Sequence, residues 1–175
     1  AMAAWGLHFF FFFPDAMVLD CGCGGGANIK TLLKLCPKGK VQGIDYSAVS
    51  VEKARKVNAG AIAAGQCTVQ QASVAKLPFE AEQFDVVTAF ETVYFWPELA
   101  QNFREVYRVL KPGGIFFICN EANGDTDKDK KWTEIIGGMT IYTDTALKAY
   151  LEQAGFCQIQ SHKNKKGWLC ITAQK

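Results

Sequence analysis

The chain has 175 residues, which is enough for one globular domain but not for two. Hydrophobic residues make up 49% and charged residues 21%, an ordinary globular composition. We therefore predict a single domain over residues 1–175, in which residues 1–13 form a short N-terminal segment, either complete or truncated. The formal net charge of +2 and the lack of a long basic stripe argue against nucleic acid as a partner.

The cysteines argue against a metal centre. There are seven, and none forms a C-x-x-C pair or has a histidine partner at metal-ligand spacing. Cys21 and Cys23 are separated by one residue, which is too close for an ordinary disulfide or a zinc pair. We predict no metal site and reduced thiols, as in a cytoplasmic protein.

Five consecutive phenylalanines, Phe9 to Phe13, precede the first predicted strand. The run is too short to cross a bilayer, and it lacks the basic start and cleavage site of a signal peptide. We expect no membrane span and predict that the run packs on the core. A lid over a bound substrate and a contact with a membrane surface stay open as alternatives. The neighbouring His8 is expected to pack or to lie at the surface rather than to act as a base.

The next elements form half of a nucleotide-binding unit. A predicted strand from Ala16 to Asp20 runs into a loop that contains Gly22, Gly24 and Gly26, and a helix follows. The second predicted strand ends at Asp45. Glycines allow the backbone to approach a ligand closely, and an acid at the end of the second strand can bind ribose hydroxyls.

This half-unit also fits a nicotinamide-dependent oxidoreductase, which we keep as an alternative. Gly22, Gly24 and Ala27 satisfy the dinucleotide pattern G-x-G-x-x-A. A pyrophosphate, however, requires an anion site at the helix start. The carboxylate of Asp20 would lie near the head of the ligand, and it suits a cationic ligand better than a phosphate.

The remaining pattern alternates strands and helices. The predicted elements are a helix capped by Ser47 (48–64), a strand (67–71), a buried strand (84–90), a helix (about 97–111), a strand (115–119), a loop or insertion (120–131), a helix (143–154) and an antiparallel pair of strands (158–162 and 168–173). Such alternation predicts an α/β fold with a doubly wound parallel sheet and helices on both faces.

Four motifs occur in one order along the chain. They are Asp20-Cys21-Gly22-Cys23-Gly24-Gly25-Gly26, the acid Asp45, Leu77-Pro78-Phe79 followed by Phe84-Asp85-Val86-Val87, and Arg108-Val109-Leu110-Lys111-Pro112-Gly113-Gly114. With these motifs, the chain from residue 14 to its end resembles the class I S-adenosylmethionine-dependent methyltransferases of the small methyltransferase-domain group. The resemblance implies a Rossmann-like, mainly parallel seven-stranded sheet with an antiparallel terminal strand. It also implies in-line transfer of a methyl group from S-adenosylmethionine to a small-molecule acceptor, by a cytoplasmic monomer or homodimer.

The resemblance further implies which residues hold the cofactor. Asp20 and the amides of the loop, those of Gly22, Cys23, Gly24 and Gly26 among them, would bind its amino-acid end. Asp45 would take both ribose hydroxyls and Tyr46 would lie against adenine. Ser73 and the backbone near Val74 would meet the adenine edge, although relatives commonly place Asp where Ser73 stands.

The residues after the fourth strand would surround the transferred methyl group. Phe90 would contact the cofactor there, and Glu91 and Tyr94 are the predicted catalytic residues, Glu91 as a base or as a ligand for a cationic acceptor. Trp96, Trp132 and Tyr142 are each either pocket walls or core residues, and His162 is expected to have no catalytic role. A non-catalytic module that binds the cofactor or serves as a scaffold stays open as a second alternative.

Overall fold

The computed structural model describes residues 1–175, apart from the side chains of residues 127, 128 and 130. The strands are β1 (Met17–Cys21), β2 (Lys40–Asp45), β3 (Cys67–Gln71), β4 (Phe84–Phe90), β5 (Leu110–Asn120), β6 (Cys157–Lys163) and β7 (Leu169–Gln174). The helices are α1 (Met2–Gly6), α2 (Ala27–Leu35), α3 (Ala48–Val57), α4 (Ala59–Ala63), α5 (Leu99–Val109), α6 (Asp127–Ile135) and α7 (Asp144–Ala154), and Leu7–Phe9 and Val93–Phe95 form short 3₁₀ turns.

The strands form one sheet in the order β3-β2-β1-β4-β5-β7-β6. Neighbours from β3 to β5 are parallel, and β7 is antiparallel to both β5 and β6. The predicted doubly wound α/β fold with an antiparallel terminal strand is therefore confirmed. The strand order reverses between β1 and β4, which opens a crevice at the carboxyl ends of these strands, where open α/β sheets bind their ligands.

The sheet divides the core into two layers. Alternate residues of a strand face opposite sides, so Phe116 and Ile118 pack with α5 and α7 while Phe117 and Cys119 pack on the other side with α1. Helices α2 and α3 contribute Ile29 and other apolar side chains to that second layer. Burial on both faces explains why β4 and residues 115–119 of β5 are mostly apolar.

Two predicted helix starts and one stop agree with the structure. The hydroxyl of Ser47 accepts from the amide of Ser50 at 3.3 Å and caps α3. The hydroxyl of Thr143 accepts from the amide of Ala146 at 3.2 Å and caps α7. Helix α7 ends at Gly155, which has a φ of 104° and so adopts the left-handed conformation common after helices.

Two predictions of secondary structure are wrong. The helix predicted over 48–64 is broken at Asn58, whose buried side-chain amide donates to the carbonyls of Gly26 and Ala54, both at 3.0 Å. The predicted loop over 120–131 contains the start of α6, where the hydroxyl of Thr126 accepts from the amide of Asp129. The polar composition of this segment hid a capped helix, because it lacks an apolar stripe.

The phenylalanine run alternates between core and solvent. Phe12 is buried and Phe10 half-buried, whereas Phe11 and Phe13 are 71% and 66% exposed. The predicted packing on the core therefore holds for Phe10 and Phe12 but not for Phe11 and Phe13. Helices that combine the length and the apolar character needed to cross a membrane do not occur in the described part of the chain.

Candidate functional site

A cavity of about 790 Å³ lies at the carboxyl ends of β1, β2, β3 and β4, and we call it the glycine-loop cavity. The predicted cofactor residues on its wall are Gly22, Gly24, Asp45, Tyr46, Ser73, Val74 and Phe90. The predicted residues Asp20, Cys23 and Gly26 are buried and do not line this cavity. The structure thus brings together residues from four strand ends, as expected where parallel strands end at one edge.

The amides of the glycine loop are mostly engaged within the protein. Those of Gly22 and Cys23 both donate to the carbonyl of Ile44 at 2.9 Å, and that of Gly24 donates to Asp45. The amide of Gly26 donates to the carbonyl of Cys23. This geometry departs from the expectation that these amides bind a ligand, because they already have acceptors. The hydrogen bond between Gly26 and Cys23 closes a turn within the loop.

The carboxylate of Asp45 is oriented by two amides. Oδ2 accepts from Gly24 and Oδ1 accepts from Ser47, each at 2.9 Å. A carboxylate can accept about four hydrogen bonds, so about two acceptor positions stay available at the cavity wall. Two hydroxyls of a ribose match that capacity.

Asp20 is a buried carboxylate at the end of β1. Its Oδ1 accepts from the hydroxyl of Thr88 at 2.7 Å, and its Oδ2 is buried with no partner among the described residues. Burial raises the pKa of the Asp20 carboxyl from 3.8 to about 7, and the nearby Asp45 carboxylate adds to this rise. A positive charge bound above the loop would stabilise the ionised form, which fits the ammonium of an amino acid better than a phosphate.

The far end of the glycine-loop cavity suits a flat ring. Tyr46 is 77% exposed and contributes to the wall. The hydroxyl of Ser73 accepts from the amide of Ala75 at 3.2 Å, and its hydrogen can still be donated. Val74 contributes to the same wall and also packs against the core. A wall that offers the aromatic ring of Tyr46 and the hydroxyl donor of Ser73 is compatible with adenine.

A second cavity, of about 510 Å³, adjoins the first and is called here the aromatic cavity. Its aromatic lining residues are Tyr94, Phe95, Trp132 and Trp168. Glu91 and Phe95 belong to the walls of both cavities. The two cavities are therefore adjacent at Glu91 and Phe95.

Glu91 directly follows β4 and has a φ of 58°, an uncommon conformation for a residue with a side chain. Its Oε1 accepts from the amide of Glu121 and from the hydroxyl of Tyr94. Burial raises the pKa of the Glu91 carboxyl to about 7, with a smaller contribution from the Glu121 charge. Since both protonation states are present near neutral pH, Glu91 can accept or donate a proton there.

The hydroxyl of Tyr94 forms a hydrogen bond with Glu91. Its hydroxyl oxygen accepts from the amide of Ala122 at 2.9 Å and lies 3.2 Å from Glu91 Oε1. Burial raises the pKa of the Tyr94 hydroxyl above its ordinary range, so the group stays protonated. The two residues predicted as catalytic therefore lie within hydrogen-bond distance of each other.

The undecided aromatic residues separate into two groups. Trp132 lines the aromatic cavity, whereas Tyr142 packs against the core and lines neither cavity. Trp96 is 5% exposed and stacks on Phe116, although it also contributes to the glycine-loop wall. His162 stacks on Phe9 at the edge strand, outside both cavities. The phenylalanine run lines neither cavity, so the geometry of the two cavities does not support the alternative that the run forms a lid over a bound substrate.

Several wall residues were missed by sequence reasoning. Gly137 and Gly138 line the glycine-loop cavity, and Trp168 lines the aromatic cavity from the start of the last strand. The double glycine after α6 was an available signal, because paired glycines mark a turn with open space. No local pattern marks Trp168, since only the tertiary fold brings it near Glu91.

The sequence comparisons agree with this geometry. A family model described as a methyltransferase domain matches residues 19–118. The chain is 28% identical over 154 residues to 24-methylenesterol C-methyltransferase 3 of Arabidopsis thaliana and 32% identical over 158 residues to arsenite methyltransferase of Mus musculus. Each alignment covers 82% of this chain and 42% of the relative. The chain thus spans less than half the length of these curated relatives.

The comparison with solved structures supports the fold. A SAM-dependent methyltransferase from Aquifex aeolicus superposes with a TM-score of 0.80 at 22% identity. The superposition covers 95% of this chain and 85% of the other. The likeness therefore supports the fold over nearly the whole chain.

Proposed function

We propose that this chain, which belongs to the class I S-adenosylmethionine-dependent methyltransferases, methylates a small molecule bound in the aromatic cavity. The observation that carries the proposal is the junction of the two cavities at Glu91 and Phe95. One ligand on each side of this junction would have its reacting group there. The cofactor of this family is S-adenosylmethionine, and the glycine-loop cavity fits it.

The cofactor residues have separate roles in this proposal. Asp45 accepts from the ribose hydroxyls with the acceptor positions that Gly24 and Ser47 leave available. Tyr46 covers the adenine, and the buried charge of Asp20 attracts the amino group. The hydrogen bonds that orient Asp45 and the burial of Asp20 support this proposed assignment.

Catalysis requires little covalent help from the protein. S-adenosylmethionine supplies a methyl group on a positively charged sulfur, which is an activated electrophile. The chain holds the acceptor in line, for which effective molarities of about 10⁵ M or more are the relevant scale. Glu91 can take the proton that the acceptor loses.

The size of the aromatic cavity supports a small-molecule acceptor. Its volume of about 510 Å³ lies within the range of about 300–1,000 Å³ that is usual for small-molecule sites. The two relatives are named for a sterol and for arsenite, which are small molecules. We further propose that residues 1–175 fold as a single domain and that this domain is a cytoplasmic monomer or homodimer, and light scattering after size-exclusion chromatography measures its mass.

The test is a titration followed by a turnover assay. We expect S-adenosylmethionine to bind with a micromolar dissociation constant in isothermal titration and NADH not to bind. Small-molecule candidates are then incubated with the loaded protein, and mass spectrometry detects S-adenosylhomocysteine and the methylated product. Binding without turnover of any small molecule would favour the non-catalytic module, and binding of NADH alone would favour the oxidoreductase.

A further inference from the structure

The described side chains around the aromatic cavity carry more negative than positive charge. Glu91, Glu121 and Asp129 contribute carboxylates to the lining, and Lys166 contributes the one cation among these described lining residues. Asp129 is committed to the loop, since its Oδ2 accepts from the amides of Asn123 and Gly124. The other two carboxylates lie closer to the junction of the cavities, since the amide of Glu121 donates to Glu91.

The aromatic wall already binds a cation of the protein itself. The ammonium of Lys166 lies 4.8 Å from the centre of the Trp168 ring, within the range of a cation–π contact. Trp132, on α6, is 43% exposed and contributes a further ring to the same cavity. This wall therefore has the chemistry that attracts ammonium groups.

Glu91 has one carboxylate oxygen to offer a ligand. Its Oε1 is occupied by the amide of Glu121 and the hydroxyl of Tyr94. Its Oε2 accepts no hydrogen bond from the described side chains or the backbone. An ammonium group beside Oε2 would gain a charge-assisted hydrogen bond at the place where the two cavities meet.

We propose, as an extension of the function proposed above, that the acceptor is an amine that binds as an ammonium ion between Glu91 and the aromatic wall and is methylated on nitrogen. Glu91 accepts one proton from the ammonium, which leaves a lone pair on nitrogen. That lone pair forms a bond to the methyl carbon as the carbon–sulfur bond breaks. The electron pair of the broken bond goes to sulfur. The products are the methylated amine and S-adenosylhomocysteine, and Glu91 returns its proton to solvent.

The same charges disfavour other acceptor classes. A carboxylate or phosphate acceptor would be repelled by Glu91 and Glu121. An alcohol would form one hydrogen bond to Glu91 but would gain nothing from the cation–π wall. The expected order of affinity is therefore ammonium, then alcohol, then carboxylate.

The test compares probes that share a skeleton. Two sets of probes are titrated into the full chain saturated with S-adenosylhomocysteine. The first set is 2-phenylethylamine, 2-phenylethanol and phenylacetate, and the second set is the butyl compounds with the same three groups. Tryptophan fluorescence reports binding, because Trp132 and Trp168 line the cavity. We expect each ammonium compound to bind at least tenfold more tightly than the matching alcohol. The matching carboxylate should bind more weakly than the alcohol. Equal affinities, or no binding of either ammonium, would overturn the proposal.

Two variants link the preference to the carboxylate. Glu91→Gln keeps an oxygen for the amide of Glu121 but removes the charge, and we expect it to abolish the tenfold preference. Glu152→Gln removes an exposed carboxylate on α7 that lines neither cavity, and it should leave the preference unchanged. An intact preference in Glu91→Gln would contradict the role of this residue.

Failure of this inference is distinguishable from failure of the proposed function. If S-adenosylmethionine binds and an alcohol or a carboxylate is methylated in place of the amine, the methyltransferase proposal stands and the amine is wrong. If S-adenosylmethionine does not bind, the function proposed above fails whatever the ammonium probes do.

Discussion

At the level of single residues, the carboxylate of Asp45 is the most informative. Two amides orient it, so it meets a ligand without first losing side-chain freedom. Asp45→Ala should weaken the binding of S-adenosylmethionine by about 1–3 kcal/mol, the scale of a lost hydrogen bond to a charged group. Isothermal titration measures this change.

A matched control for Asp45 is Asp15, an exposed carboxylate before β1. Asp15→Ala should leave the affinity for S-adenosylmethionine unchanged. Since Asp45→Ala also removes two acceptors from the backbone, its unfolding is measured in parallel. Unchanged affinity in a folded Asp45→Ala protein would show that Asp45 does not bind the ribose.

The second residue of interest is Glu91, whose burial raises its pKa to about 7. A base must be deprotonated, so kcat/KM should rise with pH, about tenfold per unit below 7, and level off above it. The ionisable groups that face it are Glu121, whose charge raises its pKa, and Tyr94, whose hydrogen bond lowers it. A pH–rate profile measures the midpoint.

Glu91→Gln should remove the rise of kcat/KM near pH 7 and lower kcat. Its affinity for S-adenosylmethionine should stay within about twofold of the wild-type value. The carboxamide keeps an oxygen for the amide of Glu121, so the loop should keep its shape. An unchanged rate and an unchanged profile would return Glu91 to a purely structural role at the end of β4.

At the level of elements, the glycine loop between β1 and α2 contains two glycines with opposite surroundings. Gly22 and Gly24 have φ values of 74° and 52°, so both adopt a conformation that disfavours side chains. A Cβ at Gly22 would collide with the side chain of Thr92, whereas nothing lies within 4 Å of a Cβ at Gly24. The first glycine is therefore required for packing and the second mainly for backbone conformation.

These surroundings predict two different results for alanine. Gly24→Ala should cost about 1 kcal/mol of unfolding free energy, the strain of a left-handed alanine. Gly22→Ala should cost clearly more, because the segment after β4 must also move. Urea denaturation compares the two variants. Equal losses of stability would contradict the contact between the loop and Thr92.

The helix after β2 shows how one residue connects two elements. Asn58 ends α3, and its side chain donates to the carbonyl of Gly26 at the start of α2. Residues 48–64 have the composition of one continuous helix, so the sequence predicted no break. The break depends on a partner 32 residues away, and helix propensity contains no such information.

At the level of the whole molecule, ionisation of buried acids couples stability to ligand binding. Asp20 is 1% exposed, and burial raises its pKa from 3.8 to about 7. In the unfolded chain it loses its proton near 3.8, whereas the folded protein holds the proton up to about 7. The ligand-free protein should therefore lose about 4 kcal/mol of unfolding free energy between pH 4 and pH 8 from this group, with little further loss at higher pH.

Urea denaturation of the wild type and of Asp20→Asn between pH 4.5 and pH 8 measures this contribution. The variant should lack the decrease assigned to Asp20, and it should bind S-adenosylmethionine more weakly at pH 8 because the buried charge is gone. Glu91 changes the pH dependence of both proteins equally, so their difference isolates Asp20. Parallel curves for the two proteins would contradict a buried, protonated Asp20.

The sequence by itself determined the fold class, the order of the elements and the acids at the ends of β1 and β2. Those features depend on neighbouring residues: alternating burial along strands, hydroxyl caps such as Ser47, and glycines that a tight loop requires. The family motifs also predicted Glu91 and Tyr94 as neighbours of the transferred methyl group, and the structure brings these two residues into hydrogen-bond distance.

Only the tertiary structure decided how the site is built. It uses the amides of Gly22 and Cys23 internally, on the carbonyl of Ile44, which the loop pattern did not reveal. It also brings Trp168 and Lys166 from the last hairpin to the cavity that Glu91 borders. The physical reason is that a cavity is formed by segments distant in sequence, whose packing and hydrogen-bond partners are set by the whole sheet and not by local propensity.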